Sequence, residues 1–173
     1  GHTVEKIGGT SMLRHEELID NVLIGTRKTA DLYGRVFVVS AYGGVTDKLL
    51  EHKKTGEPGV YALFASSDSD WAWGDALSED GRAMQAINAD VLKDPGDAKA
   101  ADDFVRERVE GVRSCLIDLS RLCSFGQFRL EEHLLTVREM LSSLGEAHSA
   151  FATTLLLRRH GVNARFVDLS GWR

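Results

Sequence analysis

Apolar residues fall along this chain in two rhythms, and the change from one to the other divides it. Thr3-Val-Glu-Lys-Ile reads as a short strand running into Gly8-Gly9. From Glu16 to Thr29, Leu18, Ile19, Val22 and Leu23 recur at spacings of three and four, which predicts a helix, punctuated by Gly34. Arg35 to Ser40 holds Val-Phe-Val-Val, a continuous apolar run of the kind expected for a strand buried on both faces of a parallel sheet. Strand, helix, strand makes a βαβ unit, and its right-handed crossover puts the carboxyl ends of both strands on one edge of the sheet. Lys6 and the loop after Ser40 therefore share the edge at which open α/β sheets bind ligands.

Between about residues 56 and 144 the period is helical throughout. Apolar stripes run over Val60 to Ala65, Met84 to Leu92, Val105 to Leu122 and Leu130 to Leu144, with turn signals at Glu57-Pro58-Gly59 and Asp94-Pro95-Gly96. This reads as a helical insertion set to one side, with Trp71 and Trp73 as packing anchors. The α/β alternation resumes at Gly145: Glu146 to Leu157 predicts a helix ended by Gly161, and Ala164 to Val167 a third strand. The expected fold class is α/β, with strands near 3–7, 35–40 and 164–168 parallel and adjacent.

Composition narrows the partners. The chain of 173 residues is 43% hydrophobic and 27% charged, enough for one substantial core. Val36 to Val39 and Thr153 to Leu157 are too short to span a bilayer, and no signal-peptide pattern opens the chain, so a cytoplasmic protein with no membrane partner is expected. Cys115 and Cys123 have no metal-type spacing and read as reduced, partly buried thiols, which implies no metal site. The net charge of −5 is uneven: residues 66–110 hold twelve Asp/Glu against five Lys/Arg. An acidic middle argues against nucleic acid and reads as a solvated helical face.

Two glycine turns carry the candidate chemistry. Gly8-Gly9-Thr10-Ser11 lets backbone N–H groups approach an anion, adds two hydroxyls and has Lys6 beside it. A Gly-Gly after a strand is ordinarily only a tight connection, and the pattern is neither a Walker A motif nor Gly-x-Gly-x-x-Gly. A second turn, Ser40-Ala-Tyr-Gly-Gly-Val-Thr-Asp, lies on the same edge, and two such turns together suggest a site for a small anionic ligand. Taken singly, Thr46 or Asp47 could be an N-cap, and Glu146 and Asp168 could be helix-end or strand-end residues; Glu146 is expected in a helix's first turn, where a carboxylate is favoured by the dipole. His148 reads as structural.

Lys6-Ile-Gly-Gly-Thr-Ser, Val38-Val-Ser-Ala-Tyr-Gly-Gly-Val-Thr-Asp-Lys-Leu-Leu, and Gly145-Glu-Ala-His-Ser-Ala with Gly161-Val-Asn-Ala-Arg-Phe-Val-Asp-Leu, in that order, closely resemble the aspartate kinases. Glu51-His-Lys-Lys-Thr-Gly-Glu-Pro-Gly-Val-Tyr-Ala-Leu-Phe-Ala resembles the branch associated with ectoine biosynthesis. The resemblance implies an amino-acid-kinase fold, a three-layer αβα sandwich with a mainly parallel sheet, here incomplete. It implies ATP-dependent phosphorylation of the aspartate side chain, with ATP and Mg2+ as cofactors, aspartate as substrate and a homo-oligomeric state. It implies Lys6 at the transferred phosphate, Gly8, Gly9, Thr10 and Ser11 as its cradle, and Thr46 and Glu146 at the aspartate, with Ser40 and Gly44 as secondary candidates. The family continues with a Phe-x-Arg-Gly-Gly-Ser-Asp motif, adenine-binding segments and usually ACT domains. None occurs in this sequence, so the expectation is an amino-terminal part of the kinase domain, inactive alone. Two other readings stay open: another small-molecule kinase of the same fold, or a non-catalytic substrate-binding or oligomerisation module.

Overall fold

The computed structural model describes residues 1–66 and 71–172. Strands β1 (Thr3–Ile7) and β2 (Arg35–Val39) pair in parallel, in register from Thr3 with Arg35 to Ile7 with Val39. The βαβ expectation holds, and it brings Lys6 opposite Val38. The crossover is more broken than its periodicity predicts. It comprises α1 (Gly9–Leu13), α2 (His15–Leu18), a π-helical turn (Ile19–Leu23) and a 3-10 turn (Thr29–Leu32). The helix expected to reach Thr29 stops early because the Ile19 carbonyl accepts from both Ile24 and Gly25, and Gly25 turns to φ +58. Arg35 then takes the freed Val22 and Leu23 carbonyls at 2.8 and 2.6 Å while pairing in a fork with Glu5 at 2.7 and 2.8 Å. One guanidinium ties the helix end to both strands.

Only one face of the sheet is covered. Ile7, Phe37 and Val39 turn inward, whereas Val36 and Val38 are about half exposed, so β2 is not buried on both faces as its sequence suggests. The remaining helices are α3 (Val45–Leu49), α4 (Val60–Ser66), α5 (Ala72–Val91), α6 (Pro95–Cys123) and α7 (Leu134–Arg159). A small parallel sheet with many helices fits an incomplete α/β fold of the expected class. Asp94 caps α6, its carboxylate accepting from the Asp97 amide at 3.0 Å, with Pro95 next to it. Arg113 of α6 reaches the Gly74 carbonyl and Ser78 on α5 at 3.1 and 2.6 Å. Met12, Leu49, Leu77, Met84, Val105, Leu116 and Leu141 join in a single buried cluster spanning all these helices.

Three expectations need correction. The two helices expected on either side of Gly145 are one: α7 runs through it, because Gly145 is a packing residue and not a stop. The strand expected at Ala164 to Val167 does not form: among the described residues this segment pairs with no strand. The Ala164 carbonyl accepts from Arg158, the Ala164 amide donates back to the Val162 carbonyl at 2.9 Å, and just before it the Asn163 amide donates to the Tyr33 hydroxyl, while Phe166 packs edge-on against the stacked Phe104 and Phe151. A groove of about 370 Å³ separates this segment from β2. Finally, Trp73 is buried edge-on against Phe64, but Trp71 is 81% exposed and anchors no core.

After this segment, Asp168 pairs with Arg108, and the Trp172 ring stacks 4.9 Å from the same guanidinium, against Gly111 of α6. Both cysteines are free, Cys115 exposed and Cys123 half-buried. Among the described residues no helix is long and apolar enough to cross a membrane.

Candidate functional site

The two glycine turns meet at the carboxyl ends of the strands. The Ser40 amide extends the ladder by donating to the Ile7 carbonyl at 2.9 Å, and the Gly43 amide donates to the Gly9 carbonyl at 3.1 Å. A Cβ on Gly9 would lie 2.7 Å from the Ala41 oxygen, so this position takes glycine because the second turn's backbone is against it. Gly8 differs: its φ is −78 and a Cβ there would meet nothing within 4 Å. In the second turn Gly44 adopts φ +87 and starts α3, which excludes Thr46 and Asp47 as its N-cap; both lie inside the helix.

The middle of α7 closes the corner. A Cβ on Gly145 would stand 3.0 to 3.2 Å from Ala41, Val45 and Leu49, so the helix rests directly on the second turn. One turn on, the buried Ser149 hydroxyl donates to the Ser40 carbonyl at 2.7 Å. The sequence shows Gly145 and Ser149 only within the run Gly145-Glu-Ala-His-Ser-Ala, where neither is expected to pack on the second turn, although small residues within a helix are the signature of such an approach. Glu146 follows Gly145 on this helix and is exposed. It stands twelve residues after Leu134, so the expected first-turn position is wrong and the dipole offers no reason for a carboxylate there.

Residue by residue, Lys6 is exposed at the end of β1, and Gly8, Gly9, Thr10 and Ser11 span the start of α1, with Thr10 exposed and Ser11 half-buried. Ser40, Gly44 and Thr46 follow through the second turn, and Glu146 comes next after Gly145 on α7. Asp168 is not at this corner. Burial by itself would raise its carboxyl, but Ser170 and Arg108 hold it below the usual range, marking a structural ion pair.

Behind the corner lies a buried polar line that the sequence did not show. His148 is fully buried, and its Nε2 sits 2.6 Å from Asn88 Oδ1; Asn88 Nδ2 donates to Asp102 Oδ1 at 2.9 Å. Because the Asn88 amide is committed as donor to Asp102, its oxygen accepts, and His148 carries its proton on Nε2. Burial pulls the His148 imidazole down to about 4, so it is neutral near pH 7. Tyr42, its tilted ring neighbour at 5.3 Å, is also buried, which pushes its phenol far up. Together the line ties the second turn to α5 and α6, and neither His148 nor Tyr42 changes charge near neutrality.

The chain is 55% identical over 172 residues to "Aspartate kinase Ask_Ect" of Stutzerimonas stutzeri (strain A1501), an alignment that takes in 99% of this chain and 36% of that protein. The chain thus spans about a third of the length of the curated relative it matches. No solved structure matches it. Residues 2–173 match the amino acid kinase family, and the chain belongs to that family.

Proposed function

We propose that this chain carries the acceptor-side part of an aspartate kinase, which transfers a phosphoryl group from ATP to the side-chain carboxylate of aspartate in cytoplasmic amino-acid biosynthesis, with ectoine as the favoured branch. The observation that carries the reading is that the first glycine turn packs on the second at Gly9 and the second packs on Gly145, with Lys6, Thr46 and Glu146 on the elements so joined. The aspartate kinase named above supplies the substrate.

A carboxylate nucleophile needs no general base, so the protein's task is alignment and positive charge around the group in flight. Lys6 supplies the charge, and the amides and hydroxyls from Gly8 to Ser11 orient the phosphate. The turn fits such a ligand at Gly8, where an added Cβ would meet nothing within 4 Å, while Gly9 packs on the Ala41 carbonyl and holds the turn in place. Glu146 pairs with the substrate ammonium, and Thr46 donates to a carboxylate, which together select an amino acid over a plain dicarboxylate. Ser40 and Gly44 shape the floor. Mg2+ supplies further charge neutralisation when bound with ATP; among the described residues no group of three His, Cys, Asp or Glu could hold it, so no step here runs through it.

The test is made on the protein at the full length of its relative, incubated with ATP and aspartate, glutamate or carbamate, trapping acyl phosphate with hydroxylamine. Aspartyl hydroxamate alone is expected. Product from glutamate or carbamate, with none from aspartate, transfers the chain to another kinase of the family. Light scattering on the same sample checks the homo-oligomer that the reading also carries.

A further inference from the structure

A second cavity, of about 430 Å³, lies between α3, α5 and the loop at Pro58-Gly59, and its wall includes Gly44, Asp47, Lys48, His52, Glu79 and Asp80. Asp80 is the unusual member. It sits in the apolar stripe of α5 formed by Trp73, Leu77, Met84 and Val91, is 6% exposed, and its Oδ2 has no hydrogen-bond partner among the described residues. Asn88, the other polar side chain of that stripe, has both ends of its amide paired. A buried carboxyl left half-satisfied costs free energy that an apolar residue there would not, so its presence calls for an occupant.

We propose that this cavity binds a small organic cation bearing a primary ammonium group, which donates to Asp80. The inference does not rest on the kinase reading. Charge decides the class of ligand: Asp47, Glu57, Glu79 and Asp80 outnumber Lys48 and His52, and His52 already faces Asp47 at 3.8 Å. An anion is repelled. A coordinated metal ion is disfavoured because no ligating group of three exists among the described residues. An ammonium needs only one or two carboxylate oxygens, and the volume suits a small molecule. Burial and the Glu79 charge push the Asp80 carboxyl up to about 7 against the pull of Lys48, so a cation arriving beside it also draws off its proton.

The experiment uses n-butylammonium as probe, with n-butanol, n-butyrate and Mg2+ as comparators, and follows the carboxyl carbon of Asp80 by NMR in the 13C-aspartate-labelled chain. Expected is a saturable shift with butylammonium in the millimolar range, and a downward move of the Asp80 titration midpoint by about one pH unit. Asp80→Asn should abolish saturable binding, read on the probe's own signals, with an unchanged circular dichroism spectrum. If that variant does not fold, the wild-type titration decides alone. The proposal is overturned by no saturable response at Asp80, by an equal response to butanol or butyrate, by a response to Mg2+ without one to butylammonium, or by binding that survives in folded Asp80→Asn.

Discussion

Replacing Asp80 by asparagine should stabilise the protein above pH 7 and do so much less at pH 5. In the fold the carboxyl titrates near 7, raised first by burial, opposed by Lys48 and assisted by Glu79, whereas in the unfolded chain it titrates near 3.8. A raised acid favours the folded state only while protonated in it, so the unfolded state binds fewer protons across the window from about 4 to 7 and stability falls as pH rises through it. Linkage between those two values makes wild type lose about 2.6 kcal/mol more than Asp80→Asn between pH 5 and pH 8, as a ceiling. Asp80 lines a cavity wide enough for water and has Lys48 nearby, which reduces the figure to about 1 to 2 kcal/mol. Urea denaturation of both proteins at pH 5, 6, 7 and 8 reads it directly, and in melting temperature it amounts to roughly 2 to 8 °C for a chain of this size. A stability difference that does not change with pH, or that favours wild type increasingly above pH 7, refutes the reasoning.

In the full-length protein, Glu146→Gln should raise KM for aspartate by about tenfold or more while leaving the melting temperature nearly unchanged, because the charge lost belongs to the substrate and to no helix end; an unchanged KM removes Glu146 from the site. Lys6→Met should lower kcat by about 100-fold or more with little change in aspartate binding, and near-normal turnover would leave Lys6 a strand-end residue only. Gly9→Ala should cost about 1 to 3 kcal/mol by driving a methyl into the Ala41 carbonyl, whereas Gly8→Ala should be nearly neutral; equal losses in chemical denaturation would show the turn contact misread. Gly111→Ala should expel Trp172 from α6 and shift its fluorescence to the red, with a stability change of about 1 kcal/mol or less because alanine favours the helix; unaltered emission would refute the docking.

The sequence made the corner legible wherever chemistry and backbone demand coincide. Two glycine turns at strand ends announce themselves locally, and β1 and β2 are where their residues put them. The failures have physical causes. Ala164 to Val167 has strand composition, but burying Phe166 on α6 and α7 wins over a ladder with β2, and composition records only the propensity. Gly145 looks like a helix stop because sequence shows the missing side chain and not the neighbour that requires it to be missing. Val36 and Val38 look buried on both faces because an apolar run does not say which layer covers it. His148, Asn88 and Asp102 are separated by many residues and give no local pattern, so their line was invisible until the helices were packed.

The bond from Ser149 to Ser40 spans 109 residues of chain, and that separation sets an order of events during synthesis. Both strands and their turns leave the ribosome early, yet the middle of α7, which closes their inner face, emerges roughly 5 to 20 seconds later at ordinary elongation rates. In that interval α5 and α6 can pair through short connections, while Ile7, Phe37 and Val39 wait without cover. The corner therefore closes only after α5 and α6 have had time to pair. Substitutions at Gly145 or Ser149 should slow the closing of this corner and lengthen exposure to chaperones, even where the finished protein is barely less stable.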